Sequence, residues 1–198
     1  MHITARQDSI IIGTLLGDGC LEQNGKWTRL RLEHGHAQKS YLGWKYKELK
    51  GLITGSVMKV HSYHKNNKTF YDSYRTYTSS HPVFDRYRNI FYLNKKKIIP
   101  LDFASLLKDP LSLAIWFMDD GYKRNDCNAL RLGTDSFTKD EQYILQSTLK
   151  NNFEIETAVH KKGKYWNLYI PERESRKFIA LVEPYIIPTL IYKITMTP

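Results

Sequence analysis

A chain of 198 residues with 41% apolar and 25% charged residues has ordinary globular composition and suits one large domain or two small ones fused closely. Its formal charge of +10, from 30 Lys and Arg against 20 Asp and Glu, points toward a polyanion, of which nucleic acid is the commonest. No apolar run reaches the length that spans a bilayer, Met1 to Asp8 reads as polar rather than as a signal peptide, and Cys20 and Cys127 are too few for a zinc cluster and read as reduced thiols.

The chain opens with an apolar helix over residues 10–16, closed by Asp18-Gly19. Alternating residues follow at 28–33, then a helix from 38–40 to 52 through Tyr41, Leu42, Tyr46 and Leu49. Strands are predicted at 56–63 and 69–76, and a helix near His81-Pro82 carries Phe84, Tyr87 and Phe91. Lys95 to Lys97 and Ile98-Ile99-Pro100 close this half, and 101–110 reads as a linker. The second half repeats the order. An apolar helix over 111–118 ends in Asp119-Asp120-Gly121. A strand covers 129–134, and a helix over 139–151 is capped by Thr138 with Glu141 three residues on. Strands at 155–160 and 165–170 precede a helix over 172–184 and Ile186-Ile187-Pro188.

Some matches between the halves are literal. Arg31-Leu32 recurs as Arg131-Leu132, Leu49-Lys50 as Leu149-Lys150, and Asp18-Gly19 as Asp120-Gly121. Their shared order predicts an α+β chain of two pseudo-symmetric halves, residues 1–100 and 111–198. In each half, the partner of the strand after the Asp-Gly turn is not placed by the sequence. An internal repeat suggests pseudo-twofold symmetry, which matches the near-twofold backbone of duplex DNA.

The two Asp-Gly helices lack a polar face, so they are expected in a buried core. Gly13 and Gly17 would let a partner helix approach closely, and Gly19 and Gly121 could end their helices in the left-handed conformation. Each helix delivers a carboxylate at its C-terminus, where the dipole is negative. Divalent cations cancel that repulsion and can hold a hydroxide against a phosphate. Hard oxygen ligands favour Mg²⁺.

With these residues in place, the chain resembles the two-motif, single-chain LAGLIDADG homing endonucleases. The motif copies are Ile11-Ile12-Gly13-Thr14-Leu15-Leu16-Gly17-Asp18-Gly19 and Leu113-Ala114-Ile115-Trp116-Phe117-Met118-Asp119-Asp120-Gly121. Further matching segments are Lys96-Lys97-Ile98-Ile99-Pro100 and Tyr185 to Lys193. The resemblance implies two αββαββα halves whose antiparallel sheets form a saddle on DNA. It implies Asp18 and Asp120 as catalytic acids and metal ligands, Gly17 and Asp119 beside them in the metal site, and Lys97 and Lys193 near the active centre. It also implies Mg²⁺ with Mn²⁺ as a substitute, a long duplex DNA partner, action as a monomer, and hydrolysis of one phosphodiester in each strand to leave 3′ overhangs. An organelle or a bacterial or phage cytoplasm is the implied setting. The alternative within the family is a group I intron maturase that binds intron RNA without cutting DNA.

Departures from the motif are local. Ile115 replaces the motif glycine, and with Trp116 and Phe117 it predicts a less tight helix crossing. Glu33 stands where the family often has a polar amide. Lys97 and Lys193 sit at non-equivalent places in the repeat. Sheet faces are expected to read bases. The candidates in the first half are Lys26, Arg29, Arg31, His61, Tyr63, Tyr71, Arg75 and Tyr77. In the second they are Lys123, Arg124, Arg131, Lys161, Lys164, Trp166 and Asn167. His34 and His36 share a spacing of two, which reads as a surface or phosphate-side pair rather than a zinc site.

Overall fold

The computed structural model describes residues 1–64 and 68–196. The first half runs α1 (Ala5–Leu16), β1 (Cys20–Asn24), β2 (Trp27–Gly35), α2 (Lys39–Glu48), β3 (Met58–His64), β4 (Thr69–Tyr77) and α3 (Pro82–Phe91). A small hairpin follows, β5 (Tyr92–Leu93) and β6 (Lys96–Lys97). The second half runs α4 (Pro110–Asp120), β7 (Gly121–Lys123), β8 (Leu130–Leu132), α5 (Lys139–Phe153), β9 (Ala158–Lys162), β10 (Tyr165–Ile170) and α6 (Glu172–Val182). Both halves thus read αββαββα, and all strand pairings are antiparallel. The hairpin partners that the sequence left unplaced are β1 and β7, each directly after its motif helix.

The compact units differ from the sequence halves. One comprises Met1–Asp8 and Asp18–Arg88, the other Ser9–Gly17 and Asn89–Pro198. The first motif helix therefore belongs largely with the second half, because its apolar surface is buried there. In that unit Ile10, Ile11 and Leu15 are fully buried, as is every residue from Leu113 to Met118. Each of the large apolar side chains among them contributes roughly 1.5–3 kcal/mol through burial. Gly13 is what brings the helices together. A Cβ there would lie 2.4 Å from the Ser112 carbonyl oxygen and 2.7 Å from the Ile115 Cβ. The bulk at Ile115 does not loosen the crossing, contrary to the motif-based expectation. It fills the space above Gly13.

Asp109 caps α4 by accepting from the Leu111 N–H at 2.9 Å, and Ser9 donates to its other oxygen at 2.6 Å. On the other side of α4, Phe117 meets Phe178 of α6 edge-on at 5.1 Å. The predicted box at the start of α5 forms, with Thr138 and Glu141 satisfying each other's backbone N–H groups. Gly121 ends α4 with φ −86°, so it does not take the left-handed form expected of it. Its missing Cβ matters for space, since one would lie 2.1 Å from the Phe117 ring.

Each unit carries a four-stranded sheet, ordered β1-β2-β4-β3 in one and β7-β8-β10-β9 in the other. The strict alternation of β2 buries Thr28, Leu30, Leu32 and His34 and turns Trp27, Arg29, Arg31 and Glu33 outward. In the second sheet Leu130, Leu132, Leu168 and Ile170 are fully buried. Arg131 and Tyr169, paired across the strands, face the other way. Each sheet thus has one face closed by its own unit and one open face. Gly25 and Gly163, at φ +64° and +60°, make the tight turns of β1–β2 and β9–β10. The segment 101–110 holds a single short turn of 3₁₀-helix, Phe103–Ser105, with Phe103 fully buried.

Candidate active centre and nucleic-acid interface

The two motif helices end side by side within the second unit. A Cβ on Gly17 would fall 2.4 Å from the Asp119 Cβ and 2.7 Å from its Oδ2. Only glycine lets the Asp119 carboxylate, itself buried, lie against this helix end. Asp18 is the next residue along the chain. Asp120 is half-buried at the end of α4, and its carbonyl accepts from the Gly133 N–H at 2.9 Å. A Cβ on Gly133 would stand 3.1 Å from that oxygen, so a small residue leaves room at the acid.

Lys97 and Lys193 do the same thing from different places. Lys97 Nζ donates to the Gly17 carbonyl at 2.9 Å. Lys193 Nζ donates to the Met118 carbonyl at 2.6 Å and the Asp119 carbonyl at 3.3 Å. Gly17 and Asp119 are the same motif position in the two copies. Each ammonium thus serves the orphan carbonyls and the negative dipole at the end of one motif helix. Lys97 is half-buried. Asn94 and Lys95, with φ of 50° and 68°, turn the β5–β6 hairpin. Lys97 then sits in β6 opposite Tyr92, with Lys96 exposed beside it.

In the first unit, the His34 Nδ1 lies 3.3 Å from Asp18 Oδ2 and 3.1 Å from Gln38 Oε1. His34 is buried, and its ring packs on Tyr41 at 4.8 Å. It is therefore no surface histidine and no partner of His36, which is exposed and stands near Tyr74. The strand alternation that buries Leu32 buries His34 too.

The open face of the first sheet carries a cross-strand ionic network. Glu22 accepts from Arg29 at 2.6 Å and Arg31 at 3.4 Å. Glu33 accepts from Arg75 at 2.8 Å and from Ser73 at 2.6 Å, and Arg31 approaches it at 3.9 Å. Arg75 also reaches the Tyr77 hydroxyl at 3.3 Å, and the Arg29 guanidinium lies 3.8 Å above the Tyr77 ring. Partial burial would raise the Glu33 carboxyl, but the hydrogen bonds from Arg75 and Ser73 outweigh it and hold it below the ordinary range. Glu33 here serves Ser73 and Arg75.

Among the predicted contact residues, Arg29, Arg31, Tyr71, Arg75 and Tyr77 share this face by register. Lys26 is exposed in the β1–β2 turn, over the Trp27 ring at 4.7 Å. His61 and Tyr63 do not share it. They pair with Asp72 and Phe70 and so lie on the face of Tyr74, which packs with His36 and Lys39. His61 is engaged by Asp72 at 2.7 Å and stacks on Phe70. The sequence of β3 lacks apolar alternation and is exposed on both sides, so nothing in it signals which parity faces out.

On the second sheet the candidate residues also divide between the two faces. Arg131 is on the open face, over the Tyr169 ring at 5.6 Å, and Lys164 is exposed in the β9–β10 turn. Lys123 pairs with Leu130 and lies on the closed face, as do Lys161 and Trp166, which pair with each other. Asn167 has the right parity but is only 1% exposed, and its Oδ1 accepts from Arg131 at 3.4 Å. It supports Arg131 from beneath. Arg124 lies beyond β7, paired with Asp126. The residues that the sequence reading missed on this face are Tyr122, His160, Lys162, Tyr165 and Tyr169. His160 stacks on Tyr169 at 4.6 Å. Burial lowers its pKa, and Arg131 and Arg124 lower it further.

Among the described residues, no helix is long and apolar enough to cross a membrane. The model of the LAGLIDADG DNA endonuclease family matches residues 8–178. The chain is 29% identical over 191 residues to the cytochrome b mRNA maturase bI2 of Debaryomyces hansenii, covering 93% of this chain and 72% of the relative. It is 28% identical over 212 residues to the DNA endonuclease I-ChuI of Chlamydomonas applanata, covering 98% and 97%. Among solved structures, the homing endonuclease I-WcaI bound to its DNA recognition sequence superposes with a TM-score of 0.92 at 27% identity, covering all of this chain and 89% of that one.

Proposed function

Starting from the fact that this chain belongs to the LAGLIDADG DNA endonuclease family, we propose that it is a site-specific endonuclease that hydrolyses one phosphodiester in each strand of a long duplex target and leaves 3′ overhangs. The observation that carries this reading is the paired construction of the helix ends. Each motif helix ends at a carboxylate, Asp18 or Asp120, and each has its last carbonyls served by a lysine.

The donor set fits a hard divalent cation such as Mg²⁺. The carboxylates of Asp18, Asp119 and Asp120 and the helix-end carbonyls are all oxygen ligands, and Mn²⁺ accepts the same set. When bound, such an ion polarises a phosphoryl oxygen and acidifies a water. The residues of the chain supply the rest. Asp18 and Asp120 hold negative charge at the negative ends of helices. Lys97 and Lys193 offset the negative dipoles of those ends. The Lys97 ammonium, beside the helix end that carries Asp18, is placed to offset charge developing on a phosphate. His34 orients the Asp18 carboxylate through Nδ1. The open sheet faces supply base contacts through Arg29, Arg31, Arg75 and Arg131, with Lys26 and Lys164 at turns suited to phosphates. One chain carries both motif copies, so a monomer suffices.

Cleavage of a randomised duplex library with Mg²⁺ tests this. The unaltered protein should select and cut a long site. Asp18→Asn and Asp120→Asn should each abolish double-strand cutting while specific binding persists. Full cutting by either variant would overturn the assignment of the acids. The maturase name of one relative supports a second reading, intron RNA binding without DNA cleavage. Selection of structured RNA with no duplex cleavage would favour it.

A further inference from the structure

On a surface that only attracts phosphate, a carboxylate is a handicap. The open face of the first sheet nonetheless holds two, Glu22 and Glu33, among the guanidinium groups of Arg29, Arg31 and Arg75. Glu22 is the more telling. Its Oε1 takes both Nε (2.8 Å) and Nη2 (2.6 Å) of Arg29, and its Oε2 takes Nη1 of Arg31 (3.4 Å). One carboxylate on β1 thus engages two arginines of β2. Arg29 is clamped further by the Tyr77 ring at 3.8 Å. All three charged side chains keep about a quarter to a third of their surface exposed, so they remain accessible while being held.

Resting on the duplex-DNA reading above, we infer that Glu22 is a specificity-determining residue that acts through Arg29 and Arg31. An unrestrained arginine on a DNA-facing surface pairs with whichever phosphate is near, which adds affinity without sequence information. A guanidinium whose edge is already held by a carboxylate presents its remaining N–H groups in a set direction. That is the requirement for reading the O6 and N7 edge of guanine. The carboxylate also repels phosphate, so it penalises a shifted docking in which the backbone crosses this part of the sheet. Stabilising the sheet alone is a poor explanation for Glu22. Exposed cross-strand ion pairs contribute only about 0.2–1 kcal/mol, and neutral pairs of β-formers do as well.

The consequence runs against simple charge matching. Glu22→Gln should bind non-cognate duplex more tightly than the unaltered protein, with a salt dependence steeper by up to about 0.9 in log–log slope for each arginine released to a phosphate. Discrimination between the cognate site and single-base variants should narrow about tenfold at the positions under Arg29 and Arg31, and stay unchanged elsewhere. The measurement is binding of a randomised duplex library by Glu22→Gln and the unaltered protein, with Ca²⁺ at fixed low concentration, and a thermal melt to verify folding. Glu22→Asp, which keeps the charge but shortens the reach, should fall between the two. Selection by Glu22→Gln identical to that of the unaltered protein would overturn this inference and leave the duplex reading intact. If the unaltered protein itself selects no duplex sequence, the duplex reading fails and this inference with it.

Discussion

The two sheets share their strand order and antiparallel pattern but carry different chemistry on their open faces. The first has guanidinium groups locked to carboxylates across three strands. The second has Arg131 beside Tyr169, His160 and Tyr165, and its four strands contain no carboxylate at all. The helix ends show the opposite relation. Lys97 comes from a hairpin and Lys193 from the 3₁₀ segment Pro188–Lys193, yet both close on carbonyls of matching motif positions. Like topology carries unlike side chains on the open sheet faces, and unlike topology brings like side chains to the ends of the motif helices.

The largest effect should come from breaking the convergence. Lys97→Met and Lys193→Met should each slow single-turnover cleavage of prebound DNA by ~10²–10³-fold, with affinity little changed, if each supports the reacting phosphate. Lys193→Met should also lower stability by about 1.5–3 kcal/mol, since it leaves helix-end carbonyls unserved in a buried place. Lys97 is less buried, and its loss should cost less in urea melts. Equal stability losses with unchanged cleavage rates would reduce both lysines to helix caps and dissolve the proposed common role.

Gly13→Ala sharpens the comparison at the helix pair. It should cost ~1–3 kcal/mol in urea unfolding through overpacking. Adding Ile115→Ala should restore little, because the nearer obstacle is the backbone oxygen of Ser112. Full recovery in the double variant would show that the side chain, and not the backbone, sets the helix spacing.

The smallest effect concerns the ionic sheet. Glu33 is held below its ordinary 4.5, chiefly by Arg75 and Ser73 against the pull of burial. A carboxyl lowered in the folded state stabilises above the unfolded value, and that contribution is lost as pH falls through the folded value. Glu33→Gln should therefore lower the melting temperature slightly at neutral pH and make it less sensitive to acid below about pH 4.5. The second sheet, without a strand carboxylate, has no counterpart to this term. An unchanged acid limb in Glu33→Gln would show that the pairing is too solvent-screened to matter.

The local devices of this protein were legible in its sequence. Two all-apolar helices ending in Asp-Gly announced a buried pair that delivers acids, and the box at Thr138 and Glu141 announced the start of α5. The alternation in β2 placed Arg29 and Arg31 outward because Leu30 and Leu32 had to go inward. β3 has no such contrast, so its sequence does not show which parity faces out, and register alone puts His61 and Tyr63 on the face opposite Arg75, and Lys123, Lys161 and Trp166 on the face opposite Arg131. Tertiary structure alone decided the contact of His34 with Asp18, the seat of Asp119 against Gly17, and the common target of Lys97 and Lys193. The reason is physical. Periodicity records whether a residue faces core or solvent. Which of several core neighbours it meets depends on packing between segments far apart in the chain, and that leaves no local period in the sequence.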